Sequence, residues 1–158
     1  MTPEKALDQN RLVHLRFRPL WLYLDQVRDF CGFFARASFD SDQLGERVGI
    51  IVHELVENAV RYGDDQELEV TLERRADEIL VCVANTTTDE RAGKLRALVA
   101  EMARQSPGEA YAAAMRLAAT LPKTESGLGL PRIRYEGRVD LEVETTPGRV
   151  SVTARGTA

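Results

Sequence analysis

Residues 44–63 read Leu-Gly-Glu-Arg-Val-Gly-Ile-Ile-Val-His-Glu-Leu-Val-Glu-Asn-Ala-Val-Arg-Tyr-Gly, and the rest of the chain is organised around them. Leu44, Val48, Ile51, Val52, Leu55 and Ala59 recur at helical spacing and form one apolar face. The spacing predicts one long helix. Asp40 and Ser41 offer N-cap oxygens, with Gln43 three residues beyond Asp40 as in a capping box. Gly63 follows the last periodic residue and is expected to close the helix in the left-handed conformation. On the helical wheel Glu54, Asn58, Arg47 and Arg61 fall on one flank of the stripe, and His53, Glu57 and Glu46 on the opposite side. Glu54 and Asn58, at i and i+4, stand together at the border of the buried surface. On spacing alone, solvated border residues of an ordinary amphipathic helix are the simpler account. A ligand seated half inside that border is the alternative.

The remaining elements follow from pattern. Residues 11–18 alternate, with Val13, Leu15 and Phe17 inward and Leu12, His14, Arg16 and Arg18 outward, before Pro19 ends the strand. A helix is predicted over 20–37, with Leu20, Leu24, Val27, Cys31 and Phe34 as its core face, widened by Phe30 and Phe33. A hairpin follows. The strand at 68–74 has one wet face, and the strand at 79–84 is apolar on both and so belongs in the centre of a sheet. Asn85-Thr86-Thr87-Thr88-Asp89 breaks the pattern, as a ligand-contacting loop or a plain helix cap. Helices are predicted over 91–103, with Leu95, Leu98, Val99 and Met102 as the stripe, and from Ser106 onward. Ser106, Pro107 and Glu109 supply N-cap, N1 and N3, and Pro122 stops that helix. In 123–130, Lys-Thr-Glu-Ser-Gly-Leu-Gly-Leu, a glycine-rich turn runs into a helix start marked by Pro131. Such a turn exposes backbone N–H groups that suit phosphate, although a plain tight turn explains it equally well. Strands at 139–144 and 150–154 around Pro147-Gly148 close the chain as a second hairpin.

Composition narrows the partners. A chain of 158 residues carrying net charge −4 reads as one domain, with residues 1–10 expected to be frayed. The acidic balance argues against a general nucleic-acid or anionic-membrane binder. The N-terminus lacks the apolar core of a signal peptide and no apolar run is long enough to span a membrane, so a cytoplasmic protein is expected. Cys31 and Cys82 sit among apolar neighbours and read as reduced core thiols. His14 and His53 are the two histidines, and no cysteine–histidine cluster has metal spacing, so no zinc site is expected.

Together, the helix carrying His53-Glu54-Leu55-Val56-Glu57-Asn58-Ala59-Val60, the central hairpin, the Ser126-Gly127-Leu128-Gly129-Leu130 turn and the closing hairpin resemble the GHKL superfamily. That is the ATP-binding fold of histidine kinases, type II topoisomerases and anti-sigma-factor serine kinases. The likeness spans roughly residues 11–155 and, with no dimerisation helix or sensor domain, is strongest to the stand-alone partner-switching kinases of the SiaB-like kind. It implies an α+β, Bergerat-type two-layer sandwich, with a mixed, mostly antiparallel sheet covered on one face by helices. It implies ATP and Mg²⁺ as ligands. Asn58 matches the family's Mg²⁺-holding asparagine and Glu54 its general base. Gly127, Leu128, Gly129 and Leu130 match the second glycine box, and 86–123 occupies the place of the ATP lid. Arg61, on the same flank as Asn58, joins the candidate nucleotide-binding set. In the first glycine box the family has Asp-x-Gly-x-Gly. Here Asn85 stands nearest the aspartate, an amide that still accepts a hydrogen bond from adenine but holds it less firmly, and no glycine follows. Pro147-Gly148-Arg149 also replaces the Gly-Thr of many relatives.

The first function implied is an ATP-dependent serine/threonine protein kinase or anti-sigma-type regulator, acting on a small antagonist protein of the STAS type. The second is a non-catalytic module on the same fold that sequesters a sigma factor or response regulator. The third is another class of enzyme using the Gly-Leu-Gly-Leu turn for a different phosphate ligand. Related small kinases are often dimers, and a homodimer is the expectation.

Overall fold

A computed structural model describes residues 10–64, 66–120 and 128–158. Five strands, β1 (Arg11–Phe17), β2 (Leu68–Arg75), β3 (Glu78–Thr86), β4 (Asp140–Thr146) and β5 (Arg149–Thr157), form one sheet in the order β1-β2-β3-β5-β4. Every pairing is antiparallel, so the mixed sheet expected from the family likeness is fully antiparallel among the described residues. The strand read as apolar on both faces, β3, lies at the centre. The helices are α1 (Leu24–Phe39), α2 (Asp42–Tyr62), α3 (Asp89–Met102), α4 (Pro107–Ala118) and α5 (Gly129–Tyr135), with a single 3-10 turn at Trp21–Tyr23. The architecture is the α+β two-layer sandwich.

The long helix α2 forms the spine of the helical layer. Val48, Ile51, Val52, Leu55 and Val56 are almost wholly buried, against sheet residues Leu68, Val70, Leu72, Val81 and Val83. Ser41 is its N-cap and accepts from the Leu44 N–H at 3.2 Å. Asp40 does not cap it. That residue ends α1 in the left-handed conformation at φ 49°, a role that a short polar side chain tolerates. Gly63 is extended rather than left-handed (φ −79°, ψ −180°). It is required for space, because a Cβ there would sit 2.7 Å from Asn85 Nδ2. Gly63 thus lets the end of the long helix press against the end of the central strand.

Other elements depart from the sequence expectation in ways that packing explains. The first helix begins as a 3-10 turn and runs on to Phe39. Leu20, Phe30 and Phe33, expected in the core from their spacing, are 41%, 45% and 63% exposed. The long helix covers only the Val27, Cys31 and Ala35 side of α1, and Phe30 and Phe33 stack on Phe34 at its outer edge (4.8 and 6.0 Å). Asn85 and Thr86 belong to β3 rather than to a loop. The Ser106–Glu109 capping box is present as read, with both reciprocal hydrogen bonds at 3.3 Å. The packing expected of the alanine-rich helix α4 is limited to Ala110, its one fully buried residue.

Buried Arg134 of α5 donates to Met102 O at 2.6 Å and Gln105 O at 3.3 Å, and so ties α5 to the end of α3, where Met102 O also accepts from the Gln105 N–H at 3.2 Å. Arg134→Met is expected to cost about 2 kcal/mol through the loss of two hydrogen bonds from a buried charged donor. For a domain of this size that corresponds to about 4–8 °C in Tm, read by calorimetry. Cys31 is fully buried, and burial pushes its thiol up to about 12. At pH 8 only roughly one thiol in 10⁴ is then ionised. Ellman's reagent should therefore titrate Cys82 first and reach Cys31 on the timescale of unfolding.

Candidate functional site

The inward row of β3 runs Ile79, Val81, Val83, and the period of two carries it on to Asn85. Asn85 therefore points into the helical layer at the strand's exit, opposite Leu68 on one side and Val150 on the other. There it meets the last two turns of α2. Between them, α3 and the start of α5 enclose a cavity of about 300 Å³. Its apolar walls are Leu55, Ala59, Val83, Leu95, Leu98, Leu130, Val150 and Val152. Its polar groups are Glu54, Glu57, Asn58, Asn85 and Thr87, and Arg61, Arg91 and Lys94 supply cations.

Six of the candidate residues share this cavity: Glu54, Asn58, Arg61, Asn85, Gly129 and Leu130. Leu128 is the N-cap of α5 and does not line it. Gly127 lies outside the described residues. The Asn58 carboxamide makes no hydrogen bond among the described residues. The Asn85 amide donates to Thr86 O at 3.0 Å, and its carbonyl oxygen accepts none among the described residues. Glu54 is 11% exposed, and its Oε1 accepts from Arg132 NH1 at 2.9 Å. Its Oε2 faces Gly129, where a Cβ would lie only 2.7 Å away, so glycine is the residue that fits. Arg132 also pairs with Glu136 at 2.8 Å, and the two carboxylates raise its already high pKa.

Glu57, expected on the far side of the helix, lines the cavity and binds Arg61 at 3.0 Å. The cavity wraps further round α2 than one flank of the wheel, and the i,i+4 pair draws both side chains along its wall. Arg47 was grouped with Glu54 by the wheel. It sits at the other end of α2, donating to Gly137 O (3.1 Å) and Thr157 O (3.0 Å). His53, Glu54 and Glu57 bring potential ligand atoms within 4.8 Å of one another, a grouping that a search for cysteine–histidine spacing does not find. Both carboxylates are already paired with arginines. Arg132 and the cavity residues of α3 were also missed. The alternation of β5 and the wheel of α3 would have pointed to Val150, Val152 and Lys94, but nothing local marks Arg132.

Where the sequence likeness expects a first glycine box, residues 87–89 are held by hydrogen bonds. Thr87 donates through Oγ1 to Tyr62 O at 3.2 Å, and Thr87 N–H donates to Gly148 O at 3.0 Å. Thr88 caps α3, and Asp89 accepts from the Gly148 N–H at 3.0 Å. The entry of α3 is therefore anchored to both the long helix and the closing hairpin.

A chain of the SiaB–SiaC complex from Pseudomonas aeruginosa matches this structure with a TM-score of 0.73, covering 98% of this chain and 95% of that chain at 17% sequence identity. The two chains share one fold. A structure of the Acinetobacter baumannii histidine kinase AdeS also matches, with a TM-score of 0.44 and 12% identity over 96% of this chain and 71% of that one. No protein-family profile and no curated protein matches the chain. Among the described residues no helix is long and apolar enough to cross a membrane.

The cavity can be tested against the Mg²⁺ and nucleotide that the sequence likeness implies. The uncommitted Asn58 carboxamide offers a hard carbonyl oxygen, the kind of ligand Mg²⁺ prefers. The open Asn85 carbonyl can accept from an exocyclic amine. Gly129 packs against Glu54 Oε2 where a side chain would not fit, and Arg61, Arg91 and Lys94 bring positive charge to the cavity wall.

Proposed function

We propose that this chain binds ATP with Mg²⁺ in the cavity between α2, α3 and α5. We propose further that it acts as a regulatory serine/threonine protein kinase or anti-sigma-type factor on a small antagonist protein, STAS-like, in a partner-switching pathway. One observation carries the reading. Glu54, Asn58 and Asn85, drawn from two distant elements, converge with Gly129 on a cavity that has apolar walls and cations. The likeness to a chain of the SiaB–SiaC complex supports a protein partner. A cytoplasmic homodimer is part of the proposal, its stoichiometry to be read by light scattering.

In this reading Asn58 holds Mg²⁺ and Asn85 accepts from the adenine amino group. The walls at Leu55, Val83, Leu95 and Val152 exclude water around the base. Mg²⁺ supplies charge neutralisation to a phosphoryl donor whose transfer depends mainly on positioning. Glu54 accepts the proton of the incoming hydroxyl. A second reading has its own observation, the anchored Thr87–Asp89 segment in place of glycines. A module that binds nucleotide and sequesters a sigma factor or response regulator without turnover needs no mobile hinge there.

The test is transfer of label from [γ-³²P]ATP to the product of a neighbouring gene. Magnesium-dependent phosphoserine or phosphothreonine on that protein is the expected result. Nucleotide binding and complex formation without transfer would move the assignment to the second reading.

A further inference from the structure

Arg132 stands outside the set of residues that the family likeness brings to the site. Its guanidinium is nonetheless the link between the candidate base and the rest of the fold. It donates through NH1 to Glu54 Oε1 on α2 at 2.9 Å, and through Nε to Glu136 Oε2 on its own helix α5 at 2.8 Å. Two carboxylates on one planar fork leave the arginine little freedom. The pairing divides the work of the Glu54 oxygens. Oε1 is taken, and Oε2 lies against Gly129 on the cavity wall, where a Cβ would come within 2.7 Å of it.

We propose that Arg132 is the positioning residue for Glu54, fixing the carboxylate so that Oε2 is the oxygen that receives the acceptor proton. The role rests on the kinase reading. The orientation of the carboxylate does not, because it follows from contacts present without nucleotide. Placement of the base is thereby tied to α5 as well as to α2, and Glu136 holds Arg132 from behind. A lysine in its place keeps one charge but cannot span both carboxylates in the same geometry.

Two readouts test this on the full chain with Arg132→Met, Arg132→Lys and Glu136→Gln. The first is steady-state phosphoryl transfer. Arg132→Met should lower kcat about 100-fold, the order expected when a catalytic group is misplaced by about an ångström. KM for ATP should stay within about threefold, the signature of an interaction used in the transition state rather than in binding. Arg132→Lys should recover part of the loss, and Glu136→Gln should show a smaller one. Unchanged kcat in Arg132→Met, or a loss confined to KM, would overturn the proposal. The second readout is the crystal structure of each variant beside wild type. The Glu54 carboxylate should leave its place at Gly129 in Arg132→Met, and finding it unmoved would overturn the proposal whatever the kinetics. Absence of transfer in wild type would defeat the kinase reading, and the structures would then decide the role of Arg132 by themselves. Should Arg132→Met fail to fold, the lysine and Glu136 variants carry both readouts.

Discussion

Substituting alanine for Asn58 should remove Mg²⁺-dependent ATP binding, with an affinity loss of about 100-fold or more. Changes in the outer shell of a metal site already cost about 10–100-fold, and Asn58 is assigned to the metal itself. A 100-fold loss corresponds to about 2.7 kcal/mol. The structure separates this effect from stability. Asn58 is only half-buried, and its carboxamide has no partner among the described residues. Truncation thus orphans no described group, and unfolding free energy should change by no more than about 0.5 kcal/mol. Titration calorimetry with and without Mg²⁺, set beside thermal unfolding, reads both. Unchanged Mg²⁺-dependent affinity in the alanine variant would remove Asn58 from the site.

Glu54→Gln should abolish phosphoryl transfer while leaving ATP affinity within a few-fold of wild type. The amide keeps the size of the side chain and can still accept from Arg132, but it cannot take a proton at neutral pH. Losing a general base costs about 10²–10⁴ in rate. The structural penalty should be small. Arg132 keeps Glu136 at 2.8 Å and is 39% exposed, so the lost pair is worth about 1 kcal/mol or less. Transfer assays on the glutamine variant therefore report chemistry. Full activity there would assign the proton to another group, with Glu57 on the same cavity wall the first to test.

The contrast between these variants bears on what a linear sequence can reveal. Residues one helical turn apart are neighbours by geometry, so Glu54 and Asn58 were legible as a pair before any fold was known. The same holds for the Ser106–Glu109 capping box and the central position of β3, both consequences of short-range pattern. Asn85 was legible through the family likeness, and its inward direction follows from a period of two that continues past the apolar run. Glu57 was lost because a wheel divides a helix into flanks, whereas a cavity closed by a second helix spans more of its circumference. Arg132 was lost because its pairing with Glu54 joins residues 78 apart in sequence. The exposure of Phe30 and Phe33 was hidden for a related reason. An aromatic residue at core spacing is buried only if a neighbouring element reaches it, and α2 crosses α1 on the other side.

Isothermal titration of wild-type protein with ATP in Mg²⁺ measures whether the cavity between α2, α3 and α5 takes the nucleotide. A saturable, one-site isotherm that weakens sharply when EDTA removes the metal is the predicted result. No heat of binding up to millimolar ATP, with the protein folded and Mg²⁺ present, would contradict it.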